Sequence, residues 1–283
     1  MLAKYLSLVK FSHTVFALPF ALTGLAFGFR DGNTFDGYKL FYVLLCMVFA
    51  RSAAMAFNRY ADRKIDALNP RTAVRELPAG IITPQNALLF VFINAGLFMV
   101  SAFMINRLCF YLSPLALAVV LGYSYTKRFT ALCHLVLGLG LALAPVGAYI
   151  AVTEHFAPYI IVLGLVVLTW VAGFDVIYAL QDEDFDRHNR LNSIPVWLGK
   201  VGALRLSVFL HLLTVLAVGY FVYASGEGWL LKLGGVIFCG LVVYQHTLVK
   251  AHDLSRVNLA FFTTNGIASV IFGVLAMADV AMR

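Results

Sequence analysis

The stretch NRYADRKID, residues 58–66, places an asparagine and two aspartates at intervals of four residues. Asn58, Asp62 and Asp66 fall on one face of a helix, because four residues advance an α-helix by about one turn. Like charges at that spacing repel each other, so a helix that carries them needs a nearby cation. Carboxylate oxygens without histidine or cysteine suit a hard ion such as Mg²⁺. This stretch is therefore a candidate for one half of a carboxylate site, which a second acidic pair would have to complete.

The stretch DVIYALQDEDFD, residues 175–186, repeats this arrangement later in the chain. Asp182 and Asp186 form a second D-x-x-x-D pair, and Asp175 lies about two helical turns before it, inside an apolar run. A carboxylate in such a run needs a cation, a hydrogen-bond donor or a water-filled cavity. Mg²⁺ is usually bound by few carboxylates together with substrate phosphates. Two such pairs on one membrane side can face one another, and the ligand expected there is a diphosphate bridged by the metal.

Basic residues close to these stretches are candidates to neutralise the remaining charge of a diphosphate. They are Arg63, Lys64, Arg71, Arg75, Lys127, Arg128 and Arg190. In YSYTK, residues 123–127, a hydroxyl and an ammonium group are one helical turn apart on Tyr123 and Lys127. Arg51 lies seven residues before Asn58, deeper in the apolar run, where a charged residue is expected to be functional. Mixed charges beside a span are often merely solvated, but two in-phase D-x-x-x-D pairs argue against that interpretation.

The composition places the chain in a membrane. Of its 283 residues 61% are hydrophobic and only 12% are charged, whereas a soluble domain has about 25% charged residues. The mean hydropathy is +0.87. Apolar runs of roughly 20 residues are long enough to cross a bilayer. They predict a single all-α domain, residues 1–283, with nine spans at 11–29, 38–58, 84–106, 109–126, 131–151, 157–180, 202–224, 228–249 and 257–281.

The distribution of lysine and arginine predicts the orientation. With a cytoplasmic N-terminus, 15 of these residues lie on the cytoplasmic side and 5 on the other side. Both acidic stretches then lie in cytoplasmic loops of a multi-pass protein of the inner membrane. The net charge of +7 is explained by these loops and does not indicate nucleic acid. The 4 cysteines and 7 histidines show no metal-ligand spacing and are given no metal role.

These motifs resemble those of the UbiA superfamily of intramembrane prenyltransferases. NRYADRKID, YSYTK and DEDFD match its motifs in order and spacing over nearly the whole chain, and NPRTAVRELPAG is similar to the 4-hydroxybenzoate polyprenyltransferase branch. The resemblance implies nine transmembrane helices around a central cavity, with two Asp-rich cytoplasmic loops. It also implies Mg²⁺-dependent transfer of a polyprenyl group from its diphosphate to an aromatic acid in quinone biosynthesis.

The resemblance further implies roles for individual residues. Those that hold Mg²⁺ and the polyprenyl diphosphate are Asp62, Asp66, Asp182 and Asp186. Those that contact the diphosphate are Lys127, Tyr123 and an arginine such as Arg63 or Arg71. Arg51 and Asn58 match positions that face the acceptor, and Arg51 is the one deep candidate to bind an acceptor carboxylate. Apart from the resemblance, the chemistry of ring attack requires an acceptor for the ring proton, and the candidates are the diphosphate and Asp175.

Other functions remain open at this point. The alternative acceptors are a hydroxylated naphthoate for menaquinone and a haem-type or chlorophyll-type ring. A cation-coupled transporter is the alternative from another class, since buried Asp and Arg residues also mark ion pathways. The acids cluster at one membrane surface instead of the midplane, which argues against transport. A transferase for CDP-activated alcohols needs a D-G-x-x-A-R core that DRKIDALNPR lacks.

Overall fold

The computed structural model describes residues 2–9, 16–226 and 228–282. The regular secondary structure of this part of the chain is helical, apart from one isolated bridge between Lys250 and Asp253. Its α-helices are α1 (Leu2–Leu8), α2 (Leu18–Asp31), α3 (Gly37–Leu68), α4 (Pro84–Ile105), α5 (Arg107–Thr126), α6 (Cys133–Thr153), α7 (Pro158–Ala179), α8 (Glu183–His188), α9 (Ile194–Ala224), α10 (Trp229–Leu248) and α11 (Asn265–Ala281). A wider helical turn, Leu259–Thr264, leads into α11.

Among the described residues, 8 helices are long and apolar enough to cross a membrane. Each of them overlaps one of the predicted spans from 38–58 to 257–281. The first predicted span, 11–29, overlaps α2, but residues 11–15 lie outside the described residues. The prediction of an all-helical, multi-span architecture is confirmed, with eight of its nine spans identified.

The first acidic motif lies on a helix, as its interval of four residues predicted, and not in the cytoplasmic loop in which the orientation argument placed it. Helix α3 continues ten residues beyond the predicted span 38–58 because residues 59–68 contain good helix formers and neither glycine nor proline. It ends before Asn69, which precedes Pro70, since the residue before a proline avoids the helical conformation. Asp62 and Asp66 therefore occupy the last turns of a rigid helix.

The second acidic motif also lies on helical turns and not in an open loop. Helix α7 passes into a 3₁₀ turn, Leu180–Asp182, and then into α8. A 3₁₀ turn has about three residues per turn, so it shifts the phase of the side chains that follow it. Asp175 and Asp182 are therefore not joined by one uninterrupted α-helix, as the prediction of two helical turns between them assumed.

The chain forms two compact units. The first unit contains Met1–Thr14 and Gly37–Tyr125, and the second contains Val15–Asp36 and Thr126–Arg283. In the first unit, α3 packs against α4 through buried residues such as Ala56 and Val91. The assignment of residues 1–283 to a single domain stays a prediction.

The second unit is built around α7, which packs against α6 and α9. Trp170 of α7 is fully buried and contacts Phe20 and Phe238, with ring centroids 5.3 Å and 5.4 Å away. Its indole Nε1 donates a hydrogen bond to Oδ1 of Asn265 at 3.0 Å. This aromatic core fixes the helix that carries Asp175.

Glycines allow two pairs of helices in the second unit to meet backbone to backbone. A Cβ atom at Gly24 of α2 would lie 2.1 Å from the carbonyl oxygen of Pro145, and one at Gly138 of α6 would lie 2.4 Å from that of Leu168. Gly138 therefore permits a close approach of α6 and α7. The same is not true of Gly147, where a Cβ atom would meet open space.

A hydrogen-bonded cluster joins three helices of the second unit at the end of α2. Oδ2 of Asp31 accepts hydrogen bonds from the hydroxyl groups of Tyr149 at 2.7 Å and Tyr159 at 2.5 Å. Oδ1 of Asp31 accepts a hydrogen bond from Nε of Arg30 at 2.8 Å. Partial burial alone would raise the pKa of Asp31, but these hydrogen bonds and the charge of Arg30 outweigh it and hold the pKa below 3.8.

We expect Asp31→Asn to lower the midpoint of thermal unfolding in detergent at neutral pH. A depressed pKa stabilises the fold above about pH 4, and this contribution is lost as the pH falls through the folded pKa. The difference in midpoint between wild type and Asp31→Asn should therefore be constant near neutral pH and shrink below about pH 4. Asp184→Asn, which changes an exposed carboxylate, is the control. A gap that persists unchanged in acid would contradict this role for Asp31.

Candidate active site

In the first unit, the acidic face of α3 is held by local contacts. Nδ2 of Asn58 donates a hydrogen bond to Oδ2 of Asp62 at 3.2 Å. Asp66 is only 6% exposed, and its Oδ1 accepts a hydrogen bond from Nη1 of Arg75 at 2.7 Å. The Thr72 hydroxyl donates to the backbone oxygen of Asp66 at 3.0 Å, so the segment after α3 folds back onto its last turn. Arg75 is the cation that the adjacent carboxylates required.

The other residues of this unit that were predicted to bind substrate differ in their exposure and in their contacts. Nη1 of Arg63 donates to the backbone oxygen of Tyr60 at 2.6 Å, and its guanidinium group lies 4.3 Å from the centroid of that ring. Arg71 is exposed. Arg51 on α3 and Tyr123 on α5 are half-buried. The roles predicted for these side chains toward a diphosphate or an acceptor stay predictions.

In the second unit, Lys127 and Asp186 form an ion pair. Asp186 is fully buried, and Nζ of Lys127 lies 2.7 Å from its Oδ1 without the alignment of a hydrogen bond. The backbone supports this contact, since Asn192 donates its N–H to the carbonyl oxygen of Lys127 at 2.7 Å. Leu191 donates its N–H to the carbonyl oxygen of Asp186 at 2.9 Å. Helix α5 ends at Thr126, so Lys127 belongs to the turn that follows and not to the predicted helical face.

The remaining acids of this motif are held differently. Asp182, at the end of the 3₁₀ turn, is half-buried. Glu183 accepts a hydrogen bond from Nη2 of Arg187 at 2.8 Å, and Asp184 is exposed. The spacing rule thus selects Asp182 and Asp186 from four neighbouring acids, and the structure distinguishes Asp184 from them by its exposure.

Asp175 pairs with a residue that the sequence analysis did not select. Nδ1 of His134, on α6, lies 2.7 Å from Oδ2 of Asp175 on α7. His134 is 3% exposed. The two residues are 41 positions apart, and no spacing rule connects them. The one available signal was the requirement that a carboxylate inside a span has a donor or cation beside it.

Arg59 is a second residue that the sequence analysis missed, having been counted only as a cytoplasmic charge. It is 6% exposed, and its Nε has no hydrogen-bond partner among the described residues. It follows Asn58 directly on α3. Its burial could not be deduced from its type, because arginine beside a membrane span is usually solvated.

Each acidic motif, taken by itself, offers only oxygen ligands, which a hard divalent cation prefers. Oδ2 of Asp66 and both carboxylate oxygens of Asp186 are buried and accept no hydrogen bond within the described part of the chain. In residues 2–9, 16–226 and 228–282, no three His, Cys, Asp or Glu side chains form a group that could hold a metal ion. Few carboxylates per unit suit Mg²⁺, which usually takes its other ligands from phosphate oxygens and water.

Comparison with known proteins identifies the family. The UbiA prenyltransferase family profile matches residues 17–267, which is most of the chain. The chain belongs to the UbiA prenyltransferase family. It is therefore a multi-pass integral membrane enzyme of this family, as the motifs predicted.

Relatives with assigned names support the same family. The 4-hydroxybenzoate octaprenyltransferase of Aliivibrio fischeri (strain ATCC 700601 / ES114) is 32% identical over 278 residues, which cover 94% of this chain and 90% of the relative. The enzyme of the same name from Vibrio cholerae serotype O1 is 31% identical over 271 residues, again covering 94% and 90%. The chain therefore spans nearly the full length of these UbiA-family relatives.

Solved structures share the UbiA fold. A UbiA homolog from Aeropyrum pernix K1 superposes with a TM-score of 0.86 at 32% identity, over 95% of this chain and 98% of that one. A UbiA homolog from Archaeoglobus fulgidus bound to DMAPP and Mg²⁺ gives a TM-score of 0.78 at 21% identity, over 99% and 100%. At 21% identity, the similarity to the Archaeoglobus fulgidus structure shows a shared fold and nothing more.

Proposed function

We propose that this UbiA-family enzyme transfers a polyprenyl group from a polyprenyl diphosphate to an aromatic acid of the 4-hydroxybenzoate type in quinone biosynthesis. The observation that carries the diphosphate part is the Lys127–Asp186 contact, in which a cation and a buried carboxylate meet at 2.7 Å. A magnesium–diphosphate complex needs both kinds of group. The relatives named 4-hydroxybenzoate octaprenyltransferase support the choice of acceptor.

The proposed metal ligands are Asp62, Asp66, Asp182 and Asp186. When bound, Mg²⁺ would neutralise charge that develops on the departing diphosphate oxygens. The residues proposed to contact the diphosphate are Lys127, Tyr123, Arg63 and Arg71. Arg63 would have to leave the backbone oxygen of Tyr60, its present hydrogen-bond acceptor. A UbiA homolog from Archaeoglobus fulgidus has been solved with DMAPP and Mg²⁺, which supports a prenyl diphosphate and Mg²⁺ as the groups bound here.

Arg51 and Asn58 are proposed to bind the acceptor. Both lie on α3, on the membrane side of Asp62. A guanidinium group can bind a carboxylate through two parallel hydrogen bonds, which would orient the aromatic acid. The apolar spans would keep water from the allylic cation until the ring attacks it. We place the acidic motifs on the cytoplasmic side of the inner membrane, because most lysine and arginine residues accompany them.

A direct assay tests this function. Purified protein in detergent is incubated with Mg²⁺, a radiolabelled polyprenyl diphosphate and one of several acceptors, namely 4-hydroxybenzoate, a dihydroxynaphthoate or a porphyrin. We expect a prenylated product from 4-hydroxybenzoate that disappears when EDTA removes the metal. Product from the naphthoate alone would contradict the acceptor and keep the enzyme class. Absence of product from every acceptor would contradict the proposal as a whole.

Arg51→Ala should raise the KM for the acceptor more than the KM for the prenyl diphosphate. Loss of the two parallel hydrogen bonds to a carboxylate is expected to cost about 2–3 kcal/mol, or roughly 30–150-fold in kcat/KM for the acceptor. The check is steady-state kinetics with each substrate varied in turn. Arg51→Lys keeps the positive charge but loses the two parallel hydrogen bonds of the guanidinium group, so its KM for the acceptor should lie between those of wild type and Arg51→Ala. Lys39→Ala, near the start of α3, is the control. A larger effect on the diphosphate would remove Arg51 from the acceptor site.

A further inference from the structure

His134 is a buried histidine whose two ring nitrogens both have partners. Nδ1 lies 2.7 Å from Oδ2 of Asp175, and Nε2 accepts a hydrogen bond from the backbone N–H of Ile194 at 3.4 Å. A backbone N–H can only donate, so Nε2 carries the lone pair and Nδ1 carries the proton. His134 therefore directs the proton on Nδ1 toward Oδ2 of Asp175.

Asp175 keeps one carboxylate oxygen available. Its side chain is 22% exposed, and Oδ1 has no hydrogen-bond partner among the described residues. An ionised carboxylate inside a span is costly, so the exposed oxygen needs a polar cavity or a substrate group beside it. Asp175 precedes Asp182 by seven residues, which corresponds to about 10 Å along a helix axis. It therefore lies deeper in the membrane than the carboxylate proposed to bind the metal.

We propose that Asp175 accepts the proton that the acceptor ring loses, and that His134 is a positioning residue that orients Asp175 for this step. The inference rests on the proposed prenyl transfer. Electrons of the ring form a bond to C1 of the prenyl group, while the C1–O bond breaks and its electrons leave with the diphosphate. The substituted ring carbon then gives its proton to Oδ1 of Asp175, and the C–H electrons restore the aromatic ring. The carboxyl group later releases this proton to water.

The placement of His134 suits a positioning role. It links α6 to α7 through Asp175 and to the first residue of α9 through Ile194, so its ring cannot turn without losing both partners. With Oδ2 held by the imidazole, Oδ1 is the only oxygen of Asp175 left to receive a proton. Another buried histidine in the same unit offers a comparison. His211 is also 3% exposed, and its hydrogen-bonding contacts within the described residues are the backbone oxygen of Trp170, the ring of His246 and the amide of Gln245, none of which is a carboxylate.

The test is a double-mutant cycle on the purified enzyme with whichever acceptor the wild type prenylates. The variants are His134→Ala, His134→Asn, Asp175→Asn, the combination of His134→Ala with Asp175→Asn, and His211→Ala as the matched loss of a buried histidine. The measurements are kcat, the KM for each substrate and the midpoint of thermal unfolding. The kinetic isotope effect is measured with an acceptor deuterated at the carbon that is prenylated.

Asp175→Asn should lower kcat by about 10²–10⁴-fold, the range of general base catalysis. His134→Ala should lower kcat by about 10-fold or more and should enlarge the isotope effect, because proton removal becomes slower. The KM for the prenyl diphosphate should stay within about twofold, since neither residue binds it. The double variant should be no slower than Asp175→Asn, and His134→Asn should recover part of the rate because its amide can donate near the position of Nδ1.

Three results would contradict the proposed roles of Asp175 and His134. They are equal losses of kcat in His134→Ala and His211→Ala, additive losses in the double variant, or an Asp175→Asn enzyme with wild-type kcat. A wild type that prenylates no acceptor would instead contradict the proposed function, and the proton transfer with it. The two failures are distinguishable, because only the second is seen in the unmodified protein.

Discussion

Asp62→Ala is expected to abolish prenyl transfer while the protein keeps its fold. Asp62 lies on the last turns of α3, half-buried, and accepts a hydrogen bond from Asn58. Removing a carboxylate from a proposed metal site takes away charge stabilisation at the departing diphosphate, so kcat/KM should fall by at least about 10³-fold. Product formation measures the loss, and circular dichroism with thermal unfolding in detergent checks the fold. Asp182→Ala should behave in the same way.

Asp184→Ala is the matched control for these variants. Asp184 is an acidic residue of the same motif, two positions from both Asp182 and Asp186, but it is exposed. The Asp184→Ala enzyme should therefore retain most of the wild-type activity. Full activity in Asp62→Ala, or equal losses in Asp182→Ala and Asp184→Ala, would show that these carboxylates do not bind the metal.

Lys127→Met should lower both the activity and the stability. The substitution leaves the fully buried carboxylate of Asp186 without its cation. Breaking a buried ion pair by removing one partner costs about 3–5 kcal/mol, and we expect about 2 kcal/mol because the Lys127 side chain is 35% exposed. Loss of the ammonium group from the diphosphate should separately lower kcat/KM by about 10²-fold or more. Thermal unfolding in detergent and steady-state kinetics measure the two effects.

The combination of Lys127→Met with Asp186→Asn separates stability from catalysis. A neutral amide no longer needs the cation, so the unfolding midpoint should recover part of the way toward wild type. The activity should not recover, because the amide cannot replace a carboxylate ligand. A double variant as unstable as Lys127→Met would mean that Lys127 supports the fold through its packing and not through its charge.

The spans were predictable from sequence because long apolar runs have no other stable environment. The end of α3 was not. Hydropathy reports the lipid-facing length of a helix, and α3 continues past it to Leu68. In α9 the backbone is non-helical at Gly199 (φ 67°), so the long part of that helix begins close to the predicted start of its span at 202. Local propensity explains the extension of α3 once it is seen, since residues 59–68 lack glycine and proline.

The candidate site was predictable in its residue types and less so in its pairings. The interval of four residues identified Asp62, Asp66, Asp182 and Asp186. The partners of these carboxylates depend on how distant segments pack. Lys127 and Asp186 are 59 residues apart, and His134 and Asp175 are 41 residues apart. A single sequence indicates that a buried charge requires a partner, but only the packed structure shows which residue supplies it.

Because α3 is continuous, it fixes the distance between the residues that it carries. Arg51 and Asp62 are 11 positions apart on one unbroken helix, so about 16 Å of axial rise separates the proposed carboxylate anchor from the metal ligands. That length accommodates one aromatic ring, the reacting carbon and a diphosphate in a row. The helix would thus limit the size of the acceptor while placing no bound on the prenyl tail. Inserting one alanine between Arg51 and Asn58 would rotate Arg51 by about 100° around the helix axis relative to Asp62 and Asp66, so one acceptor could no longer reach both Arg51 and the metal site.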